Sequence, residues 1–182
     1  YVKGPKTGKY YEIDWREEDL RACIDDDFDG DGLAVAEAYF ANVAKVAEKK
    51  PTILGHFDLI KKINGGNKFF DENDPRYTAA ANSALMAAAR NRCVLEVNTS
   101  AAYRGFRKDY FPSDAILKDW LVLSGNVVLT ADVHDVKALT YGFEDAAAKL
   151  KELGYTKVQV LGKDGFTPLS LIHISEPTRL AL

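Results

Sequence analysis

PSDAILKDWLVLSGNVVLT, residues 112–130, is the stretch whose reading decides the fold. Pro112-Ser113 opens a helix that runs through Leu123, since proline suits a first helical turn and serine favours a cap. Gly125 closes that helix at the position that favours a left-handed residue. Asn126-Val-Val-Leu-Thr130 is then apolar on both faces, as a covered strand requires. The same alternation recurs on either side. Thr52-Ile-Leu-Gly-His56, Cys93-Val-Leu-Glu-Val97 and Lys157-Val-Gln-Val-Leu161 read as further strands. Between them lie the Ala-rich helix Pro75 to Arg90 and an amphipathic helix with Phe143, Ala146, Ala147 and Leu150 on one face, ended by Gly154. Strand and helix alternating at about 30 or more residues per unit is the βαβ pattern, which implies an α/β fold with parallel strands. Periodicity alone leaves a small open sheet and half of a (β/α) barrel equally available.

Before the first of these strands the chain is less regular. Tyr1 to Tyr11 reads as a loop. Asp14 with Glu17 three places on is a capping-box pattern opening a short helix through Cys23. Ala36, Tyr39, Phe40, Val43 and Ala47 define the buried face of a longer helix. Asp25 to Gly32, between them, tempts an EF-hand reading. The twelfth position of a loop starting at Asp27 is Ala38, where a bidentate Glu is needed, so an acidic solvated connection is expected instead.

The chain has 182 residues, 47% hydrophobic and 28% charged, with a formal net charge of −3. That is long enough for a substantial core. The balance offers no basic block for nucleic acid or a membrane surface, and no apolar run reaches the roughly 20 residues of a membrane helix. Cys23 and Cys93 stand outside any metal-ligand spacing, exclude a disulfide scaffold and fit a reducing cytoplasm. The sequence begins at Tyr1 with neither Met nor signal peptide, so either processing or a lost start is expected. Ser170 to Leu182, ending LIHISEPTRLAL, breaks the pattern and resembles the conceptual translation of a sequencing adaptor. Residues 170–182 are therefore set apart from the 1–169 portion as a non-native tail, and His173 is not counted as a ligand. An ordinary C-terminal extension is the plain alternative.

Chemistry is sought at the carboxyl ends of the strands, where α/β architectures build sites. His56 ends the first strand. Asp132-Val-His134 follows the third, and a spacing of two on an extended segment puts both side chains on one face. Carboxylate and imidazole together suit Zn, Mn or Fe. The plain alternative makes His56 a packed core histidine and Asp132 a turn cap. Arg104-Gly-Phe-Arg107-Lys108 and Lys61-Lys62 fall in loops on the same rim, where basic side chains suit a phosphate ester; solvated loop cations are the alternative. Glu96-Val97-Asn98-Thr99-Ser100 adds polar groups that either orient ligands or cap the next turn.

These motifs occur in a specific order: Gly55-His-Phe-Asp-Leu-Ile-Lys-Lys-Ile-Asn64, Phe70-Asp-Glu-Asn-Asp-Pro-Arg-Tyr77, Leu95-Glu-Val-Asn-Thr-Ser100, Arg104-Gly-Phe-Arg107 and Asp132-Val-His134. Together, from about Tyr1 to Leu169, they resemble the C-terminal portion of the histidinol-phosphatases of the PHP (polymerase and histidinol phosphatase) family. The resemblance implies part of a distorted, TIM-barrel-like (β/α)7 barrel whose N-terminal strands are missing, with two or three divalent metal ions (Zn, Mn or Fe) in the full-length site. It implies His56, Asp132 and His134 as metal ligands, Asp132 and His134 as the catalytic pair, and Arg104 and Lys62 as phosphate contacts. The implied substrate is a small phosphate ester, L-histidinol phosphate, hydrolysed to L-histidinol and phosphate in histidine biosynthesis. The metals and Arg104 would stabilise phosphoryl charge, and Asp132 would assist proton transfer.

The sequence departs from the family at two places. The H-x-H element and other ligands of the family's N-terminal half are absent, so this chain alone is expected to be inactive. T-A-D-V-H stands where S-D-A-H is usual, and Val133 is expected to narrow the pocket slightly. Another PHP-type phosphoesterase and a non-catalytic α/β module are the competing expectations. Oligomeric state is not legible.

Overall fold

A computed structural model describes residues 1–173. The chain divides into two compact units, Tyr1–Cys93 and the chain from Val94 on. Among the described residues no helix is long and apolar enough to cross a membrane.

The first unit opens with β1 (Val2–Lys3) paired antiparallel to β2 (Tyr10–Tyr11), followed by α1 (Glu17–Asp27), α2 (Gly32–Ala47), β3 (Ile53–Leu54) and α3 (Pro75–Arg90). The expected loop at Tyr1 to Tyr11 is thus a small hairpin. Asp27 holds it: its Oδ1 accepts from the N–H groups of Lys6 (2.7 Å) and Thr7 (2.9 Å). Its Oδ2 accepts from the hydroxyls of Thr7 and Tyr11, both at 2.7 Å. Burial pushes this carboxyl's pKa up, but these hydrogen bonds outweigh burial and hold it well below the usual carboxylate range. The acidic connection is therefore anchored inward at Asp27. Asp31 caps α2, accepting from the Ala34 N–H.

The capping box does not form. Helix α1 starts at Glu17 with Arg16 at its N-cap and no side-chain cap, because the Asp14 carboxylate lies 3.5 Å from Lys62 Nζ instead. Helices α2 and α3 pack through aromatic rings. Phe40 meets Tyr77 edge-on (5.2 Å) and Phe57 at a tilt (5.8 Å), and Tyr77 stacks on Phe70 (5.7 Å). Phe40 is fully buried and contributes up to about 3 kcal/mol of transfer free energy. Cys23 is buried nearby in sequence to α2, and burial pushes its thiol up to about 12, leaving it inert.

The second unit is an alternating sheet: β4 (Val94–Asn98), the one-turn α4 (Ser100–Tyr103), α5 (Asp114–Val122), β5 (Asn126–Thr130), α6 (Phe143–Leu153), β6 (Lys157–Gly162) and β7 (Gly165–Ser170). Strands β4 and β5 are parallel in full register, Val94 opposite Asn126 and Asn98 opposite Thr130. Strand β6 joins β5 in parallel at Gln159 opposite Val128. Strand β7 was not anticipated; it returns antiparallel on β6 through a turn at Lys163-Asp164, with Gly165 at φ +111°. All four expected strands are present, and a mixed α/β architecture with mostly parallel strands and flanking helices is established. Ser170 ends β7 and Leu171 is buried; residues 174–182 of the expected tail lie outside the described residues.

Helix α5 ends differently from expectation. Ser124 takes the left-handed conformation (φ +58°), and Gly125 N–H bonds to the Trp120 carbonyl (2.9 Å). Glycine is required at 125 for room, since a Cβ there would lie 2.0–2.3 Å from ring atoms of Trp120.

Candidate functional site

Strands β4 and β5 end level with one another, and the loops beyond them carry the candidate residues. Asn98, fully buried, accepts the Ser100 N–H on its Oδ1 (2.8 Å) and so starts α4. Thr99 ties that turn to β5, donating its N–H to the Thr130 carbonyl (3.1 Å) and its hydroxyl to the Tyr141 carbonyl (2.7 Å). Within the sheet, the Thr130 hydroxyl donates to Glu96 Oε1 (2.7 Å). Helix α4 delivers Arg104 at its C-terminus.

Two residues past β5, Asp132 has a left-handed backbone (φ +43°). The segment is therefore not extended, and the same-face reason for pairing Asp132 with His134 does not hold. A turn brings them together instead. His134 Nδ1 lies 2.8 Å from the Asp132 carbonyl oxygen and 3.8 Å from its Oδ1. The Arg104 guanidinium contacts the same Nδ1 and stands 3.9 Å from Asp132 Oδ2. Ser100 Oγ donates to Asp132 Oδ2 at 3.4 Å.

Beside this cluster a second contact joins the same two loops. The Tyr103 hydroxyl donates to Asp135 Oδ2 (2.8 Å), and the Tyr103 ring meets Tyr141 edge-on at 5.1 Å. Asp135 Oδ1 accepts the Lys137 N–H (3.0 Å). The Lys137 N–H, then the Tyr103 hydroxyl, hold the Asp135 carboxyl below its ordinary range, and the Asp135 contact in turn raises the Tyr103 phenol. Sequence reasoning missed Tyr103, Asp135 and Tyr141. The available signal was adjacency, since Tyr103 precedes Arg104 and Asp135 follows His134.

Three of the five expected residues, Arg104, Asp132 and His134, thus converge in the second unit. In the first unit, His56 also lies two residues past a strand, β3, with a left-handed backbone (φ +50°). Its carbonyl accepts from the Tyr39 hydroxyl (2.6 Å) and the Leu59 N–H (3.2 Å). Burial and then the Asp58 charge raise the Tyr39 phenol, so it stays a donor. Lys62, mostly buried, has its Nζ 3.5 Å from Asp14 and 5.9 Å from the centre of the Trp15 ring. Lys61 is fully buried against Asp58 (3.1 Å), and Arg107 pairs with Asp109 (2.9 Å). Arg104 meets the Asp132–His134 turn.

The donor chemistry of Asp132 and His134 fits a divalent ion in kind. It falls short in number: among the described residues no group of three or more His, Cys, Asp or Glu side chains is gathered to hold one. Further ligands are needed for the two- or three-metal site that the resemblance implies. No protein-family model matches the chain, and no curated protein is significantly similar to it in sequence.

Proposed function

We propose that this chain is a portion of a metal-dependent phosphoesterase of the PHP class, with a barrel built around its parallel strands. One step finer, we propose that the complete protein is a histidinol-phosphatase acting on L-histidinol phosphate in the cytoplasm. The observation that carries the reading is the convergence of Arg104, His134 and Asp132 just beyond the carboxyl end of β5. The ordered motifs around His56, Glu96 and Asp132 support it.

In this reading Arg104 takes two phosphoryl oxygens on its planar fork, a geometry that lysine cannot match. Ser100 and Arg104 steady the Asp132 carboxylate, which moves a proton at its Oδ1. Asp132 and His134, with His56 and ligands from elsewhere in the protein, would hold the divalent ions. Bound there, the ions supply Lewis-acid stabilisation of the phosphoryl charge.

The test is phosphate release by the complete, metal-loaded gene product on a panel of phosphate esters. Histidinol phosphate is expected as the preferred substrate, with Arg104→Ala lowering kcat/KM by about 10²-fold or more. Hydrolysis of other esters without that preference refutes the finer reading. No hydrolysis of any ester refutes both. The 182-residue chain assayed alone is expected to be inactive.

A further inference from the structure

Resting on the phosphoesterase reading above, we infer that Tyr39 is a positioning residue for the metal site, its hydroxyl fixing the turn that carries His56. Tyr39 lies on α2, 17 residues before His56 in the chain. The hydroxyl is used twice at one turn. It donates to the His56 carbonyl (2.6 Å) and accepts the Leu59 N–H (3.2 Å). The same Leu59 N–H reaches the His56 carbonyl at 3.2 Å, so the phenol closes a turn whose own bond is shared. Residues 56–59 are thereby tied to α2 through a single oxygen atom.

Three features that cost stability are gathered in this short stretch. His56 has a left-handed backbone (φ +50°), which strains a residue that carries a Cβ. Phe57, Asp58, Ile60 and Lys61 are buried, although connecting segments belong on the surface, where water meets their polar backbone. The Asp58–Lys61 ion pair (3.1 Å) is buried with them, and a desolvated pair is weak ground for stability. His56 itself stays partly exposed. A turn sunk into its unit and strained at a partly open histidine suits the aiming of one side chain at a ligand. The Tyr39 ring meets Phe40 edge-on at 5.4 Å, so a phenylalanine at 39 keeps that packing and removes only the two bonds. Linkage adds a second consequence: the factor by which the hydroxyl raises metal affinity is the factor by which bound metal steadies the turn.

The experiment uses the complete gene product and zinc. Tyr39→Phe is expected to weaken zinc binding about tenfold in competition with a chelator, as loss of a partner outside the ligand set does. On the preferred ester kcat should fall by a similar factor, with KM changed less than about twofold. Val35→Ala, which trims a buried side chain of the same helix, should lower Tm and leave zinc affinity within about twofold. Zinc loading of the unaltered protein should slow exchange of the Leu59 amide hydrogen about tenfold, a measurement that stands even where Tyr39→Phe does not fold. Zinc affinity unchanged by Tyr39→Phe, equal weakening by Val35→Ala, or Leu59 exchange indifferent to zinc overturns this inference alone. A complete protein that neither holds zinc nor hydrolyses any phosphate ester overturns the phosphoesterase reading and this inference with it.

Discussion

Replacing Gly125 with Ala tests how the end of α5 sets the start of β5. The added methyl would sit 2.0–2.3 Å from three atoms of the Trp120 indole. That ring is 1% exposed and has no free side to rotate into. Its Nε1–H donates to the Asn126 carbonyl (3.0 Å), and Gly125 N–H donates to the Trp120 carbonyl. Overpacking of this kind costs about 1–3 kcal/mol. If the ring moves, the indole bond is strained as well, at about 1 kcal/mol. A total of about 2–4 kcal/mol lowers Tm by roughly 4–16 °C for a chain of this size. The assay is thermal unfolding followed by near-ultraviolet circular dichroism, which reports the packing of Trp120. Ser124→Gly is the control, because glycine accepts φ +58° without a steric cost, and its Tm should match or slightly exceed that of the unaltered chain. A Gly125→Ala protein that melts within 1 °C of the unaltered chain, with the same aromatic signal, refutes the close approach.

Two other perturbations follow from the first unit. Asp27 has a depressed folded-state pKa, so its stabilising effect is fully present above the ordinary carboxylate value of about 4 and is lost as pH falls below it toward the folded value. The gap in urea midpoint between the unaltered chain and Asp27→Asn should therefore be widest near neutral pH and narrow below about pH 4; a gap independent of pH contradicts the hydrogen-bond network. Lys61→Met removes the cation 3.1 Å from the fully buried Asp58 and should cost about 3–5 kcal/mol in denaturant titrations, with Asp58→Asn added to it recovering part of the loss. A cost below about 1 kcal/mol for Lys61→Met would show that the pair is not desolvated.

What the sequence made legible and what it hid follow physical lines. Strands β3 to β6 were readable because each is a short apolar run between helix-forming segments, although only β4 is buried along its whole length and β6 is mostly exposed. The β1–β2 hairpin was hidden because its two-residue strands carry no periodicity; a side chain from another element, Asp27, holds its turn. Strand β7 was hidden because Gly-Phe-Thr-Pro-Leu-Ser is largely exposed and contains Pro168, which an edge strand tolerates. The Asp14–Glu17 box failed because a tertiary partner, Lys62, lies beside the carboxylate that local pattern assigned to the helix. At the site, Arg104, Asp132 and His134 were found by residue type and position after strands. Their meeting was not derivable, since it depends on a turn at Asp132 and a one-turn helix after Asn98. Tyr103 and Asp135 were invisible for the same reason, as no one-dimensional pattern pairs residues 32 positions apart.

The left-handed residues offer an independent argument about where the site lies. Outside glycine, the described residues with positive φ are Asp29, Lys50, His56, Asn67, Arg92, Ser124 and Asp132. Lys50, Arg92 and Ser124 end helices, and their N–H groups bond to the carbonyls of Ala47, Ala89 and Leu121. Asp29 follows α1, and Asn67 follows Gly65-Gly66 in a turn. Helix termination and turn chemistry account for all five. His56 and Asp132 have no helix to end. Each lies two residues beyond a strand, where a non-glycine side chain in this conformation costs about 1–2 kcal/mol. Each is also held from outside its own turn, His56 by the Tyr39 hydroxyl and Asp132 by Ser100. Backbone strain maintained by tertiary contacts at strand ends is expected where a side chain must be aimed rather than merely packed. Two of the three residues expected as ligands, His56 and Asp132, are therefore the two that backbone geometry singles out, by a criterion that takes no account of their chemistry; the third, His134, reaches Asp132 through the turn that Asp132 begins.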